Sequence, residues 1–221
     1  GLGHKLGIIA DRFYAHPTDG MRIIGVTGTD GKTSVSHFIA QALSAADRAC
    51  GLLGTLGYGV YGALRTPTHT TPDALRLQAE FAALRDQGVR QAVMEVSSHA
   101  LHQHRTAGVA FHSAVLTHLS RDHLDYHGSL EAYAAAKRKL FHVEGLRYAV
   151  INADDDFGRA LLDGIPPGVA PVAYRLEGEP FATRFPAQWV IGRNLQFDAG
   201  GMCLDVVTPW GSGQLCCGLL G

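Results

Sequence analysis

The chain has 221 residues, with 19 Lys and Arg against 20 Asp and Glu and 46% hydrophobic residues. That is enough for one sizeable core, or a core with a small appendage, and too little for three ordinary domains. Its net charge of −1 gives no general electrostatic case for nucleic acid or an anionic membrane surface, and no apolar run nears the roughly 18–20 residues of a membrane span.

In chain order, residues 1–19 mix Gly, His and Pro and predict no clear element. Short apolar runs at Arg22–Val26, Cys50–Leu53, Gln91–Val96, Ser113–Thr117 and Arg147–Ile151 read as buried strands. Between them, Val35, Phe38, Ile39, Ala42 and Leu43 recur at helical spacing, as do Ala74, Leu77, Phe81 and Leu84. This alternation predicts an α/β fold: a mostly parallel sheet built around a phosphate loop, with helices on both faces. After about residue 180 the texture changes. Trp189–Ile191, Leu195–Phe197, Met202–Val207 and Gln214–Cys217 are separated by Gly, Asp, Pro and Ser, which predicts a small antiparallel β region at the C-terminal end. The four cysteines, Cys50, Cys203, Cys216 and Cys217, form no CxxC pair and no dense framework, and are expected as free thiols in a reducing cytoplasm.

The strongest signal is a strand running into Thr27-Gly28-Thr29-Asp30-Gly31-Lys32-Thr33-Ser34, followed at once by an amphipathic helix. The two glycines let backbone N–H groups close around phosphate oxygens, and the helix N-terminus adds its dipole. Lys32 supplies a point charge and the Thr33 hydroxyl suits Mg²⁺. Strict P-loop spacing would want Gly where Val26 stands, so the match is to a shorter variant.

Ligands in open α/β sheets gather at the carboxyl ends of the strands. Glu95 ends one run there, either as a hard oxygen ligand for Mg²⁺ or as a solvated carboxylate. Eight of the twelve histidines lie between His99 and His142. No HExxH or Cys/His spacing supports zinc, and most read as polar loop residues; His123, in Asp122-His123-Leu124-Asp125 directly after a strand end, is the exception. In SLEAYAAAKRKLF, Lys137 falls on the apolar stripe of Leu130, Tyr133, Ala134, Leu140 and Phe141. A lysine on a buried face is neutral, paired or chemically modified. A neutral amine can take up CO₂ to become a carbamate; the alternative is a stem that snorkels to water.

GVTGTDGKTS, TPTHTTPDAL, MEVSSHALHQHR, LTHLSRDHLDYHGSLEAYAAAK and INADD resemble, in order and spacing, the motifs of the Mur ligases. These are cytoplasmic ATP-dependent amide ligases of peptidoglycan synthesis, and the likeness is greatest to the MurE type, which adds the third residue of the stem peptide. The resemblance runs over essentially the whole chain. It implies that 1–19 is a linker from an N-terminal UDP-binding domain and that 20–221 is an incomplete central ATP-binding domain, with 180–221 its small antiparallel part. A C-terminal ligase domain would lie outside the chain, and the fragment alone would not turn over.

The resemblance further implies that Gly28, Thr29, Asp30, Gly31, Lys32, Thr33 and Ser34 hold ATP, with Asn152 near adenine. Thr33 and Glu95 would bind one Mg²⁺; His123 and a carbamate on Lys137 would bind a second, with Lys32, Lys137 and His123 the catalytic set. His69, Thr70, Thr71, Ser97, Gln103 and Arg105 would contact UDP-MurNAc-L-Ala-D-Glu. An acyl phosphate would then be attacked by an amino acid, with diaminopimelate expected and lysine the other choice. A monomer with no nucleic-acid or membrane partner is expected. Asp30, His69 and His118 stand where the family commonly has Asn. Asp30 places negative charge close to phosphate, and could weaken ATP binding or point away. Three other readings are weighed: a folylpolyglutamate synthase-like ligase, which lacks a reason for TPTHTTP and SSHALHQHR; a P-loop kinase, which lacks one for Lys137; and a non-catalytic Mg·ATP-binding module.

Overall fold

The computed structural model describes residues 2–46, 48–67 and 69–218. One eleven-stranded sheet carries them, in the order β11-β10-β9-β8-β7-β6-β1-β5-β2-β3-β4. Its strands are β1 (Arg22–Thr27), β2 (Cys50–Gly54), β3 (Gly57–Val60), β4 (Ala63–Arg65), β5 (Gln91–Glu95), β6 (Phe111–Leu116), β7 (Tyr148–Asn152), β8 (Ala170–Leu176), β9 (Gln188–Asp198), β10 (Gly201–Thr208) and β11 (Gly211–Cys217). From β2 across to β9 every neighbouring pair is parallel, and hairpins make both ends antiparallel.

The helices are α1 (Leu2–Phe13), α2 (Lys32–Ala45), α3 (Ala74–Asp86), α4 (Ser98–His102), α5 (Leu124–His127), α6 (Leu130–Arg138) and α7 (Asp156–Asp163). Strand side chains alternate between two cores. Ile23, Ala92, Met94 and Leu53 join Leu77 and Phe81 of α3 on one face, while Val26, Val93 and Leu52 join Ala40 of α2 on the other. The near-continuous apolar strands are what burial on both faces requires.

Two expectations are corrected. Residues 2–13 form a helix where none was predicted. Its Gly3 and Gly7 lower helix propensity, yet a Cβ on Gly7 would lie 2.4 Å from Ala107 O, so that glycine lets the helix lie close against the 103–107 segment. The 180–221 segment carries the expected antiparallel strands as β9, β10 and β11; β9 also pairs with β8 in parallel, so they continue the main sheet, and the segment's last three residues fall outside the described ones. Finally, Cys203 and Cys216 are directly opposite in the β10–β11 register and are joined by a disulfide, with Cα atoms 4.1 Å apart. Only Cys50 and Cys217 are free. The pairing depends on hairpin register, which cysteine spacing alone does not express.

Chain order places the site. The chain runs from β1 outward to β2, returns through β5, then crosses β1 to β6. The loop after β1 therefore lies at the point where the strand order reverses, flanked by the ends of β5 and β6.

Candidate functional site

At this reversal point the chain turns from β1 into α2 through Gly28–Gly31. The N-cap of α2 is Gly31 at φ 78°, with no side chain capping the first turn, so its orphan N–H groups remain for an anion. A cavity of about 510 Å³ opens over them. Of the sequence-predicted residues, Thr29, Asp30, Gly31, Lys32, Thr33, Ser34, His69, Thr70, Thr71, Glu95, Ser97, Arg105, His123 and Lys137 all line it. Gly28 contributes its carbonyl from the loop instead.

Glu95, at the end of β5, is 1% exposed. Its Oε2 accepts from Thr33 Oγ1 at 2.9 Å. Thr55, which sequence reasoning missed, donates its backbone N–H to Oε1 at 2.8 Å and its hydroxyl to Oε2 at 3.1 Å. No local pattern around Thr55 marks it; the β2–β3 turn simply brings it there. A buried carboxylate and a hydroxyl beside a phosphate-sized cavity fit a hard divalent cation. Among the described residues no group of three or more His, Cys, Asp or Glu is placed to hold a metal. Such a donor set suits an ion that completes its shell with phosphate oxygens and water, as Mg²⁺ does.

Two lysines converge on one carbonyl. Lys32 Nζ donates to Gly28 O (3.1 Å) and Thr29 O (2.7 Å), and Lys137 Nζ donates to the same Gly28 O (2.6 Å). Lys137 is 1% exposed, so it does not snorkel. Burial, aided by the Lys32 ammonium and opposed by Asp122 and Asp30, pulls its amine down to about 7. Burial also lowers Lys32, against the pull of Glu95, Asp30 and Asp122. Tyr133 lies one helical turn before Lys137 and presents its ring 4.4 Å from Nζ. Its hydroxyl is 3.2 Å from Thr29 Oγ1. Sequence reasoning had Tyr133 on the stripe without a role; the signal was a buried phenol, which needs a polar partner.

The lowered lysine has a measurable consequence. Between its folded value of about 7 and its ordinary 10.5, the unfolded chain holds more protons than the folded one. Stability from this group therefore rises with pH, by up to about 1.4 kcal/mol per unit. Lys137→Met removes that rise, and urea unfolding of both chains in CO₂-free buffer at about pH 7.5 and 9 checks it. An unchanged difference between the two pH values would mean the amine is not depressed.

His123 caps α5 at φ 51°, with Nε2 3.3 Å from Asp122 and its ring 4.8 Å from that of His99. Burial first, then neighbouring imidazoles, hold His99 and His127 below the usual histidine range. Asp30 and His118 meet at 3.6 Å, so the exposed carboxylate in the loop has a cationic partner whenever His118 is protonated. Two predicted residues lie elsewhere. Gln103 is exposed beside the cavity with its carboxamide turned to Arg105 and Tyr126. Asn152 lines a second cavity of about 670 Å³ with His118 and Asp154–Asp156, and its Nδ2 donates to Thr117 O.

The Mur ligase middle domain model matches residues 26–221. The whole chain is 50% identical to a UDP-N-acetylmuramoyl-L-alanyl-D-glutamate–2,6-diaminopimelate ligase of Alkalilimnicola ehrlichii, covering 43% of that protein. It is likewise 50% identical, over its full length, to that of Pseudomonas aeruginosa, covering 44%. A solved structure of a ligase of the same name superposes with a TM-score of 0.85 at 35% identity, over 99% of this chain and 44% of that one. The chain thus spans less than half the length of these relatives. On the matched residues and this fold, it belongs to the Mur ligase family.

Proposed function

We propose that the chain is the nucleotide-binding core of an ATP-dependent ligase that joins meso-diaminopimelate to the D-glutamate of UDP-MurNAc-L-Ala-D-Glu. The observation that carries this is the buried Lys137 amine, depressed to about 7, facing the phosphate loop in the same cavity as Glu95, Thr33 and Arg105. A kinase gives no reason to bury a lysine there. The relatives named above carry these substrates in their names.

In this reading Gly28–Ser34 cradle the ATP phosphates, and Thr33 with Glu95 holds Mg²⁺. His123 and a carbamate on Lys137 hold a second ion. Bound Mg²⁺ supplies electrostatic stabilisation of the transferring phosphoryl group. Lys32 adds charge at the terminal phosphate, as such cations do for a developing anion. Arg105 offers a guanidinium to an anionic group of the muramoyl dipeptide, and Thr70, Thr71, Ser97 and His69 line its approach. The γ-carboxylate takes the terminal phosphoryl group, ADP departs, and the incoming amine displaces phosphate to leave the amide. The enzyme works as a cytoplasmic monomer, and Asn152 serves the adenine side.

Calorimetric titration with UDP-MurNAc-L-Ala-D-Glu in the presence of Mg·ATP tests this. Arg105→Ala is expected to weaken binding by at least about tenfold, the loss for one charge-assisted contact. Equal affinity in the variant, or binding of a folate in preference to the muramoyl peptide, would overturn the assignment.

A further inference from the structure

Arg105 is held by more than its own backbone. Its Nη1 donates to Thr71 O at 3.1 Å. Its Nε and Nη2 both donate to Gln103 Oε1, at 2.9 and 2.5 Å. Three of the five guanidinium hydrogens are thereby committed, which leaves one on each Nη for a bidentate anion. The Gln103 carboxamide is itself anchored, because its Nε2 donates to Tyr126 Oη at 2.9 Å. Tyr126 Oη also lies 2.9 Å from His102 Nδ1, and its ring lies 4.2 Å from that of His99.

Tyr126 belongs to α5, a single turn with no buried residue. Besides ring contacts to His99 and Tyr133, α5 is tied by polar contacts to α4 and the turn after it. A second one comes from His127, whose Nε2 is 3.0 Å from Ser98 Oγ. The same turn is capped by His123. A long, rotamer-rich arginine gains most from such pre-organisation, since ordering it on ligand binding costs affinity.

We propose that Tyr126 is a positioning residue: through the Gln103 carboxamide it fixes the Arg105 guanidinium for an anionic group of the acceptor substrate, and ties that fix to the segment carrying His123. The proposal rests on the reading of Arg105 as a substrate ligand, but its structural half stands apart. Gln103→Glu keeps the oxygen that Arg105 needs, and Tyr126 can reverse its hydroxyl to donate to the new carboxylate. Gln103→Leu keeps neither.

The test uses the chain itself with two readouts. One is solvent exchange of the Arg105 Nε–H by ¹⁵N NMR without ligand; the other is calorimetric affinity for UDP-MurNAc-L-Ala-D-Glu and, separately, for Mg·ATP. Tyr126→Phe and Gln103→Leu are expected to speed the exchange and to weaken dipeptide binding roughly five- to tenfold. Mg·ATP affinity should stay the same in both, and Gln103→Glu, which keeps an oxygen acceptor for Arg105, should retain the slow Nε–H exchange. Unchanged Nε–H exchange in Tyr126→Phe, or equal weakening of both ligands, would overturn the positioning role. Weaker dipeptide binding in Arg105→Ala with wild-type binding in Tyr126→Phe would overturn it too. If Arg105→Ala binds the dipeptide as wild type does, it is the substrate assignment that fails.

Discussion

If Lys137 carries the proposed carbamate, Lys137→Met is expected to abolish it and to cut ATP-dependent phosphate release by the proposed ligase at least about 10²–10³-fold, the range for losing one charge-stabilising group at a transferring centre. The reason lies in the free-base fraction. With its amine at about 7, close to half of Lys137 is neutral at neutral pH. The nitrogen lone pair can then form a bond to the carbon of CO₂, and the proton lost from nitrogen goes to solvent. The side chain would thereby change from an ammonium, now spent on Gly28 O, to an anion beside Lys32 and the cavity. Lys137→Arg keeps a cation but cannot take up CO₂ as the free base, because its guanidinium stays charged. It should be as inactive as Lys137→Met. Acetate or formate, filling the space left by Lys137→Met, should restore part of the rate. The direct readout is a ¹³C resonance on the wild-type chain in ¹³C-bicarbonate that is absent from Lys137→Met. No such resonance, together with wild-type turnover by Lys137→Met, would sink the carbamate.

Gly28→Ala should be the most damaging single methyl in the phosphate loop. At φ +153° a Cβ there would lie 1.7 Å from Thr117 Oγ1 and 3.1 Å from His118 O. That Thr117 hydroxyl donates to Asp30 O at 2.6 Å and so ties the loop to the end of β6. The loop and the β6 end must separate, and the carbonyl that both lysines use moves with them. We expect a stability loss of about 2–4 kcal/mol, the range for overpacking combined with strain, and at least about 100-fold weaker Mg·ATP binding, near 2.7 kcal/mol. Gly88→Ala is the control. Its φ of +79° is positive too, in the left-handed region, but nothing lies within 4 Å of the added methyl. It should cost only about 1 kcal/mol and leave nucleotide affinity alone. Thermal melts and calorimetry on both variants decide the matter. Equal nucleotide affinity in Gly28→Ala and wild type would show that the loop tolerates the separation.

Much of this site was legible before the fold was known. The strand–Gly–Lys–Thr–helix succession places Gly28–Ser34 by local geometry alone. The 3.6-residue stripe put Lys137 on the face of Leu140 and Phe141 and left burial or snorkelling open; the structure buries it. Glu95 was visible as a polar residue ending an apolar run. Other features were opaque. Residues 3 and 7 are glycines for the sake of a neighbour about 100 residues away, and their low helix propensity masks the helical spacing of Leu2, Leu6, Ile9 and Phe13 in α1. Thr55 meets Glu95 only because β2 lies beside β5. Nor did any local pattern announce that the Gln103 carboxamide would join Arg105 to Tyr126.

By itself the sequence determined the central strands, the helices α2, α3 and α6, the Gly–Lys–Thr turn between β1 and α2, and that Lys137 lies on an apolar helix face, since all of these follow from side-chain periodicity and backbone freedom within a dozen residues. Tertiary structure alone decided which groups meet: Cys203 with Cys216, Lys32 with Lys137 at Gly28 O, and Tyr126 with Arg105 through Gln103. Such meetings depend on strand order and register, which arise from packing over the whole sheet and leave no trace in any local window.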